Sequence, residues 1–340
     1  MAGTVTLRLA EAEDLAAAAL EASGASAGNA RSTARALVAA EADGQAGHGL
    51  SRVASYALHA RCGKVDGRAA PRVERAGNAA LRVDAGRGFA YPAIDAAFAA
   101  LVPLARETGI AAAALHRSHH FGQAGAHAER LAAEGLVALV LGNTPKAMAF
   151  WGGRKPMLGT NPLAFAAPLP GGAPPLVIDL ALSVAARGKI VAAQKAGQAI
   201  PEGWAVDADG RPTTDPSAAL AGTLSPIGGA KGGALALMIE ILAAALTGSS
   251  WGWEASSFFD DKGGPPEMGQ VFIALDPRRL SGGGYESRME VLMAAIAAEP
   301  GVRLPGARRL AARERAANEG LVVPRAVYDE IRGLLAASGS

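Results

Sequence analysis

The order of its apolar runs places this chain among α/β proteins. Two runs bounded by turn residues, Ile110 to Leu115 and Leu136 to Leu141, flank a stretch from Ala124 to Ala133 with apolar residues at helical spacing. Such a strand–helix–strand rhythm belongs to layered α/β domains. Length and composition agree with it. The 340 residues are 50% hydrophobic and 19% charged, which excludes a disordered chain. A chain of this length buries ~75% of the surface its unfolded form exposes, so it needs no disulfide or metal staple.

The first sixty residues predict helices. Leu9 to Ala22 ends at Ser23-Gly24, Ala30 to Ala42 stops at Asp43-Gly44, and Leu50 to Ala60 ends near Cys62-Gly63. Short strands follow at Val73 to Arg75 and Ala80 to Asp84, then a helix from Ala93 to Arg106 closed by Gly109. Beyond the central unit, strands are expected at Leu163 to Ala167 and Leu176 to Leu180, and a helix from about Val184 to Lys195. Residues 197–232 read mostly as loop, of a length associated with function or an interface. Gly233 to Leu246 predicts a helix, Val271 to Leu275 a strand, and Arg288 to Ala298 and Pro324 to Ala337 two more helices.

Composition also excludes whole classes of function. Thirty-three basic against 31 acidic residues leave a formal charge of +2 with no basic block, which speaks against binding nucleic acid through phosphate neutralisation. The single cysteine, Cys62, rules out an internal disulfide and reads as a small apolar filler. Charged residues near the start stand where a signal peptide needs an apolar stretch, and the uncharged run from Pro156 to Ile178 is broken by Pro and Gly. No membrane span and a cytoplasmic location are the expectation.

Three segments could carry chemistry. Four of the six histidines, His116, His119, His120 and His127, fall within twelve residues where a strand gives way to a helix. They could ligate a metal, with His116 and His120 on one strand face, or one could exchange a proton at neutral pH. In GHGLSR, a helix starting near Gly49 would be capped by His48 and would carry Arg52 on the same face, where a guanidinium can hold a carboxylate. In PIGGAKGGALALMIEIL, glycines and Lys231 open a helix, an arrangement suited to phosphate. It is not a Walker loop, and no Gly-x-Gly-x-x-Gly turn follows an early strand. These features alone leave the reaction class open.

Taken in order, GHGLSRVASY, HHFGQAG, WGGRKPMLGTNPLAFAAP, IDLALSVAARGKI, IPEGWAVDADGRPTTDP, GGAKGGALALMIEIL and VRLPGARR resemble the malate/L-lactate dehydrogenase family of the non-Rossmann type. The resemblance runs over nearly the whole chain. It implies an NAD(P)-binding fold with a large mixed, mainly antiparallel sheet and a helical domain built from both termini, assembled as a homodimer. The division it suggests is 1–70 with 285–340 as the helical domain, 71–120 as a small α/β segment and 121–284 as the NAD(P)-binding domain.

It further implies hydride transfer between NAD or NADP and the carbon next to a carboxylate, in a 2-oxo/2-hydroxy acid or alternatively in a cyclic 2-imino acid. His48 and His120 match the proton-transfer histidines, and Asp179 an aspartate that supports them. Arg52 matches the carboxylate anchor, with Tyr56 and His119 on the substrate side. Thr144, Gly159, Thr160, Asn161, Ser183 and Lys231 match positions lining the dinucleotide. Gly47 stands where the family has serine, His119 doubles His120 as in the cyclic-imine reductases, and Gly233 replaces an aromatic, which should leave more room. A small carboxylate substrate is implied and no bound metal; a metal-dependent hydrolase built on the histidine cluster is the distant rival, for which no carboxylate-rich partner motif is present.

Overall fold

A computed structural model describes residues 3–336. Its centre is a seven-stranded sheet in the order Arg72–Gly77, Ala80–Asp84, Ile110–Ser118, Met268–Leu275, Val137–Gly142, Leu163–Ala167, Leu176–Leu180. Only the pairing of Ala80–Asp84 with Ile110–Ser118 is parallel, and the helix Ala90–Thr108 supplies the crossover it requires. The other five neighbours run antiparallel. The fold is therefore α/β with a mixed, mainly antiparallel sheet. The two strands flanking the helix Ala124–Ala133 are not neighbours, because Met268–Leu275 is inserted between them.

Alanines make that centre thin. Ala111, Ala113, Ala138, Ala164, Ala166 and Ala274 are buried under the helices Ala90–Thr108 and Ala124–Ala133, with Ile94, Leu101, Leu131 and Phe272 filling the volume between. Small side chains let helix and sheet approach closely, and the larger ones restore packing density. A second core joins the two ends of the chain. Helices Leu9–Glu21, Ala27–Ala42 and Val53–Arg61 pack with Arg325–Ala336, and strand Thr4–Leu7 pairs antiparallel with Leu321–Pro324. Ala337, at the end of the expected last helix, lies outside the described residues. A third core lies under a four-stranded sheet of short strands, in the order Ala205–Val206, Thr223–Leu224, Met148–Ala149, Pro156–Leu158.

Several expectations need correction. The third helix begins at Val53; Leu50–Arg52 is a separate 3₁₀ turn. Residues 197–232 contain the helix Pro216–Ala221 and two strands, and Ala230–Glu240 starts three residues before Gly233. That helix continues as a π-turn over Ile241–Ala245. Helix Ala307–Glu319 and strand Thr4–Leu7 were not anticipated. Cys62 is exposed at a helix C-cap and is no core filler. Among the described residues no helix is long and apolar enough to cross a membrane.

The VRLPGARR segment and the helix it opens, Ala307–Glu319, tie these parts together. Arg309 is nearly buried and meets Glu129 at 2.6 Å, while Arg313 meets Asp43 at 2.8 Å and Glu129 at 2.8 Å. Asp43 also accepts from Gln123 at 3.0 Å. Helix Ala307–Glu319 is thus bonded to the end of Ala27–Ala42 and to Ala124–Ala133, the helix that follows the histidine loop.

Candidate active site

The site forms where the turn before Val53–Arg61 meets the irregular chain after Ile110–Ser118. His48 stacks on His120, with ring centroids 5.3 Å apart and planes 13° from parallel. His48 does not cap a helix as the spacing suggested. Gly49 breaks the chain into two 3₁₀ turns, and the Glu41 carboxylate takes the Leu50 N–H at 2.8 Å. A Cβ at Gly49 would lie 2.1 Å from Glu41 Oε2, which accounts for that glycine. Arg52 is half-buried; its Nε donates to the carbonyl of Gly47 at 2.7 Å, and its guanidinium lies over Phe259, 4.8 Å from the ring centre. Among the described residues no carboxylate pairs with it.

His119 and His120 point into different surroundings. His120 Nδ1 is 2.6 Å from the Tyr56 hydroxyl, which lies 3.2 Å from that of Tyr91. The Tyr56 hydroxyl is thus engaged inside the wall. His119 Nε2 is 3.0 Å from His59 Nδ1, and His59 Nε2 is 3.0 Å from the carbonyl of Asp260. A carbonyl only accepts, so His59 carries its proton on Nε2 and its Nδ1 accepts from His119 Nε2. That leaves His119 Nδ1 a bare acceptor; it and His48 Nδ1 are buried with no partner among the described residues.

Lys64, 1% exposed, places its ammonium on the carbonyls of Ser257, Asp260 and Lys262 at 2.6, 2.9 and 3.0 Å. It holds the loop whose Phe258 packs 5.2 Å from His119 and 5.1 Å from His120. His59, Lys64, Tyr91 and Phe258 carried no motif signal, and their partners lie far away in sequence.

The remaining histidines do other work. His127 is in the core and donates from Nε2 to the carbonyl of Phe121 at 2.7 Å. The strand bearing His116 ends at Ser118, with Arg117 at φ 50°, so His116 and His120 share no strand face. Among the described residues no three His, Cys, Asp or Glu side chains are placed to hold a metal.

On the other side of the sheet end, three loops converge on a buried carboxylate. Glu240 accepts from Asn143 at 3.1 Å, Asn161 at 2.8 Å and the Gly252 N–H at 2.7 Å. Thr144 Oγ1 takes the Thr160 N–H at 2.9 Å, and a Cβ on Gly159 would lie 2.3 Å from that same oxygen. Asn161 is fully buried at φ 38°, and Ser183 bonds the carbonyl of Ala185 at 2.9 Å. Lys231 is exposed at the start of Ala230–Glu240, preceded by Gly228 and Gly229 at φ 63° and 64°.

A Cβ on Gly233 would lie 3.3 Å from Trp151 Cβ, so the place of the missing aromatic is bounded by Trp151 and is not open. Gln270 links the two halves. It sits in the central strand opposite Gly142 and donates to the carbonyl of His119 at 3.2 Å. Asp179 accepts the Gly125 N–H at 2.8 Å, at the start of the helix following His120, and touches neither histidine.

Burial sets the charge state. It pushes His48 down to about 4, with Arg52 adding to the effect, and holds His119 and His120 well below the ordinary imidazole value. His59, His116 and His127 are lowered too, burial being the largest cause in each. Protons therefore bind the unfolded chain first, and stability is complete above the unfolded value of about 6.5 and lost as pH falls. For His127, lowered to about 4, the loss near pH 5 is about 2 kcal/mol. The melting temperature should drop steadily from about pH 7 to about pH 5; an unchanged value over that interval would contradict these buried neutral imidazoles.

Known proteins place this arrangement. Residues 7–332 match the family model for malate/L-lactate dehydrogenase. The chain is 55% identical over 332 residues to a (2R)-3-sulfolactate dehydrogenase (NADP(+)) of Chromohalobacter salexigens, covering 98% of each. It is 43% identical to a Δ1-pyrroline-2-carboxylate reductase of Ancylobacter novellus, covering 97% of each. The crystal structure of a Δ1-piperideine-2-carboxylate reductase from Pseudomonas syringae superposes with a TM-score of 0.91 at 38% identity, over 97% of this chain and 100% of that one. The chain is an oxidoreductase and belongs to the malate/L-lactate dehydrogenase family.

Proposed function

We propose that the chain interconverts a 2-hydroxy acid and a 2-oxo acid with NADP(H), the substrate bearing a second anionic group of the sulfolactate kind. One observation carries the reading: Arg52, a cation paired with no carboxylate among the described residues, stands beside the stacked pair His48 and His120. A guanidinium there suits a carboxylate, and fixing it presents the adjacent carbon to the histidines in one orientation. The 55% identity with a sulfolactate enzyme supports the second anionic group and the choice of NADP.

The loops around Glu240 suit a dinucleotide. The first-turn N–H groups of Ala230 and Lys231 precede the first helical bond, from Gly233 N to Gly229 O, and the Lys231 ammonium is exposed beside them. A phosphate is stabilised by such a helix start. Thr144, Gly159, Thr160 and Ser183 would border the rest of the molecule. When bound, the nicotinamide supplies or accepts the hydride. The chain's own part is to hold the carboxylate on Arg52, to move the proton of the substrate oxygen at His48, and to donate a hydrogen bond from His120. Asp179 would act only indirectly, by anchoring the start of the helix after the His120 loop.

Reduction of a cyclic 2-imino acid is the second reading. His119 favours it, because its bare, buried Nδ1 suits a donor, and a protonated imine nitrogen carries one. A panel of 2-oxo acids, with and without a sulfonate or carboxylate on C3, and of cyclic 2-imino acids, followed by NADH and NADPH absorbance, separates the two. Fastest turnover is expected for the C3-anionic 2-oxo acids with NADPH. Faster turnover of the cyclic imines transfers the assignment to the second reading, and no turnover of either class rejects both.

A homodimer and work in the cytoplasm belong to the same proposal. Leu237, Met238, Ile241 and Leu246 are 40%, 45%, 48% and 62% exposed along one helix, an apolar face that a second copy would cover. The unpaired, exposed Cys62 suits a reducing compartment. Light scattering should give twice the chain mass; a single-chain mass at working concentration removes the dimer.

A further inference from the structure

We infer that Tyr56 and Tyr91 are positioning residues for His120: their two hydroxyls form a relay that keeps the imidazole protonated on Nε2 and bare on Nδ1, so that it serves as a fixed hydrogen-bond donor beside His48. This rests on the reading of His48 and His120 as the reaction centre. Tyr56 is 1% and Tyr91 3% exposed, so neither hydroxyl has water to fall back on. Each has one proton to give. The Tyr91 hydroxyl lies 3.2 Å from that of Tyr56, and Tyr56 has two acceptors near it, His120 Nδ1 at 2.6 Å and the His120 carbonyl at 3.4 Å.

Distance favours one direction. N–H···O bonds cluster near 2.9–3.0 Å, whereas bonds donated by a hydroxyl run shorter, so a separation of 2.6 Å fits the tyrosine as donor. Tyr91 then donates to Tyr56, and Tyr56 to His120 Nδ1. A neutral imidazole that accepts on one nitrogen carries its proton on the other. Burial raises both phenols, Tyr91 to about 12, so they keep the protons the relay needs.

The surrounding chain is built to hold this geometry. A Cβ on Gly122 would lie 2.5 Å from the Tyr91 hydroxyl oxygen, and Gly122 sits at φ 70°. The glycine of HHFGQAG thus both permits the turn and leaves the hydroxyl its place. Phe258 packs edge-on against the His120 ring, 5.1 Å between centres, which opposes rotation away from Tyr56. Without the hydroxyl, the ring would divide its proton between two nitrogens, and only one form donates toward the site. Tyr56 therefore acts through His120 and leaves substrate contact to others.

The test is nitrogen NMR on the full-length protein with labelled histidines, only six in number, the His120 signal being assigned by its loss in His120→Gln. In the wild type, Nε2 should be protonated and Nδ1 bare. Tyr56→Phe removes one oxygen and keeps the ring; it should populate the Nδ1-protonated form and lower kcat roughly 10- to 100-fold, the usual cost of losing the partner that orients a working histidine, with KM moving far less. Tyr91→Phe should shift both readouts in the same direction by less.

A wild-type His120 protonated on Nδ1 overturns the relay. So does a Tyr56→Phe protein that keeps wild-type kcat, or one that keeps the Nε2 form. If Tyr56→Phe does not fold, the wild-type spectrum and Tyr91→Phe decide. The spectra need no turnover, so an absence of activity on every 2-oxo and imino acid would count against the proposed reaction while the relay is still read directly.

Discussion

His48→Gln should slow turnover by ~10²–10⁴-fold while leaving dinucleotide binding intact, the range for loss of a positioned acid–base group. The sign of the accompanying pH dependence follows from burial. With its pKa held at about 4, His48 is neutral in the free protein at neutral pH. It is then ready to take a proton in oxidation and must acquire one for reduction. Because kcat/KM reports the free enzyme, its value for reduction should fall about tenfold per unit as pH rises above that pKa. For oxidation it should be level across the same interval. In His48→Gln the slope for reduction vanishes. His120→Gln should retain the slope and lower kcat more than it changes KM, through loss of the hydrogen bond that orients the reacting group. Wild-type turnover in both variants, on the best substrate found, would exclude the pair as the reaction centre.

Arg52→Ala should cost about 2–5 kcal/mol in kcat/KM for carboxylate substrates, about 30- to several thousand-fold, because the substrate anion loses its counter-charge in a partly desolvated place. Lysine should rescue only in part, since an ammonium lacks the planar fork that meets both carboxylate oxygens. A second signature separates this role from mere packing. The charge of Arg52 contributes to the lowered values of His48, His119 and His120. Its removal should move the His48 titration upward from about 4 and shift the pH profile of reduction with it. Arg52→Ala with unaltered kcat/KM would place the carboxylate elsewhere, and an unaltered profile would place Arg52 away from the histidines.

The candidate site was legible where its residues are contiguous. GHGLSR and HHFGQAG named His48, Arg52, His119 and His120, and the structure brings all four together around the stacked imidazoles. The helical reading of GHGLSR failed because Gly49 is pinned against Glu41, a contact no spacing rule contains. The family resemblance puts Tyr56 on the substrate side, yet its hydroxyl is turned into the protein toward His120 and Tyr91. His59 and Lys64 carry no signal in the sequence, since a lone histidine and a lone lysine in a helical stretch and its cap read as surface residues. Their partners, Asp260 and Ser257, are some 200 positions away.

Local conformation was the sequence's own to decide. Gly24, Gly44 and Gly109 end helices at positive φ, as a residue without Cβ allows. The apolar run from Ile110 became a strand because its alternate residues meet a helix on one side. Which strands would be neighbours was decided only by the tertiary structure. Met268–Leu275 pairs with Ile110–Ser118 on one edge and Val137–Gly142 on the other, and backbone hydrogen bonds carry no residue-specific label that would announce such a partner. The charge of the histidines was likewise decided there. Imidazole titrates near neutrality in water, and it is enclosure by Tyr56, Phe258 and the Lys64-held loop that keeps His119 and His120 neutral.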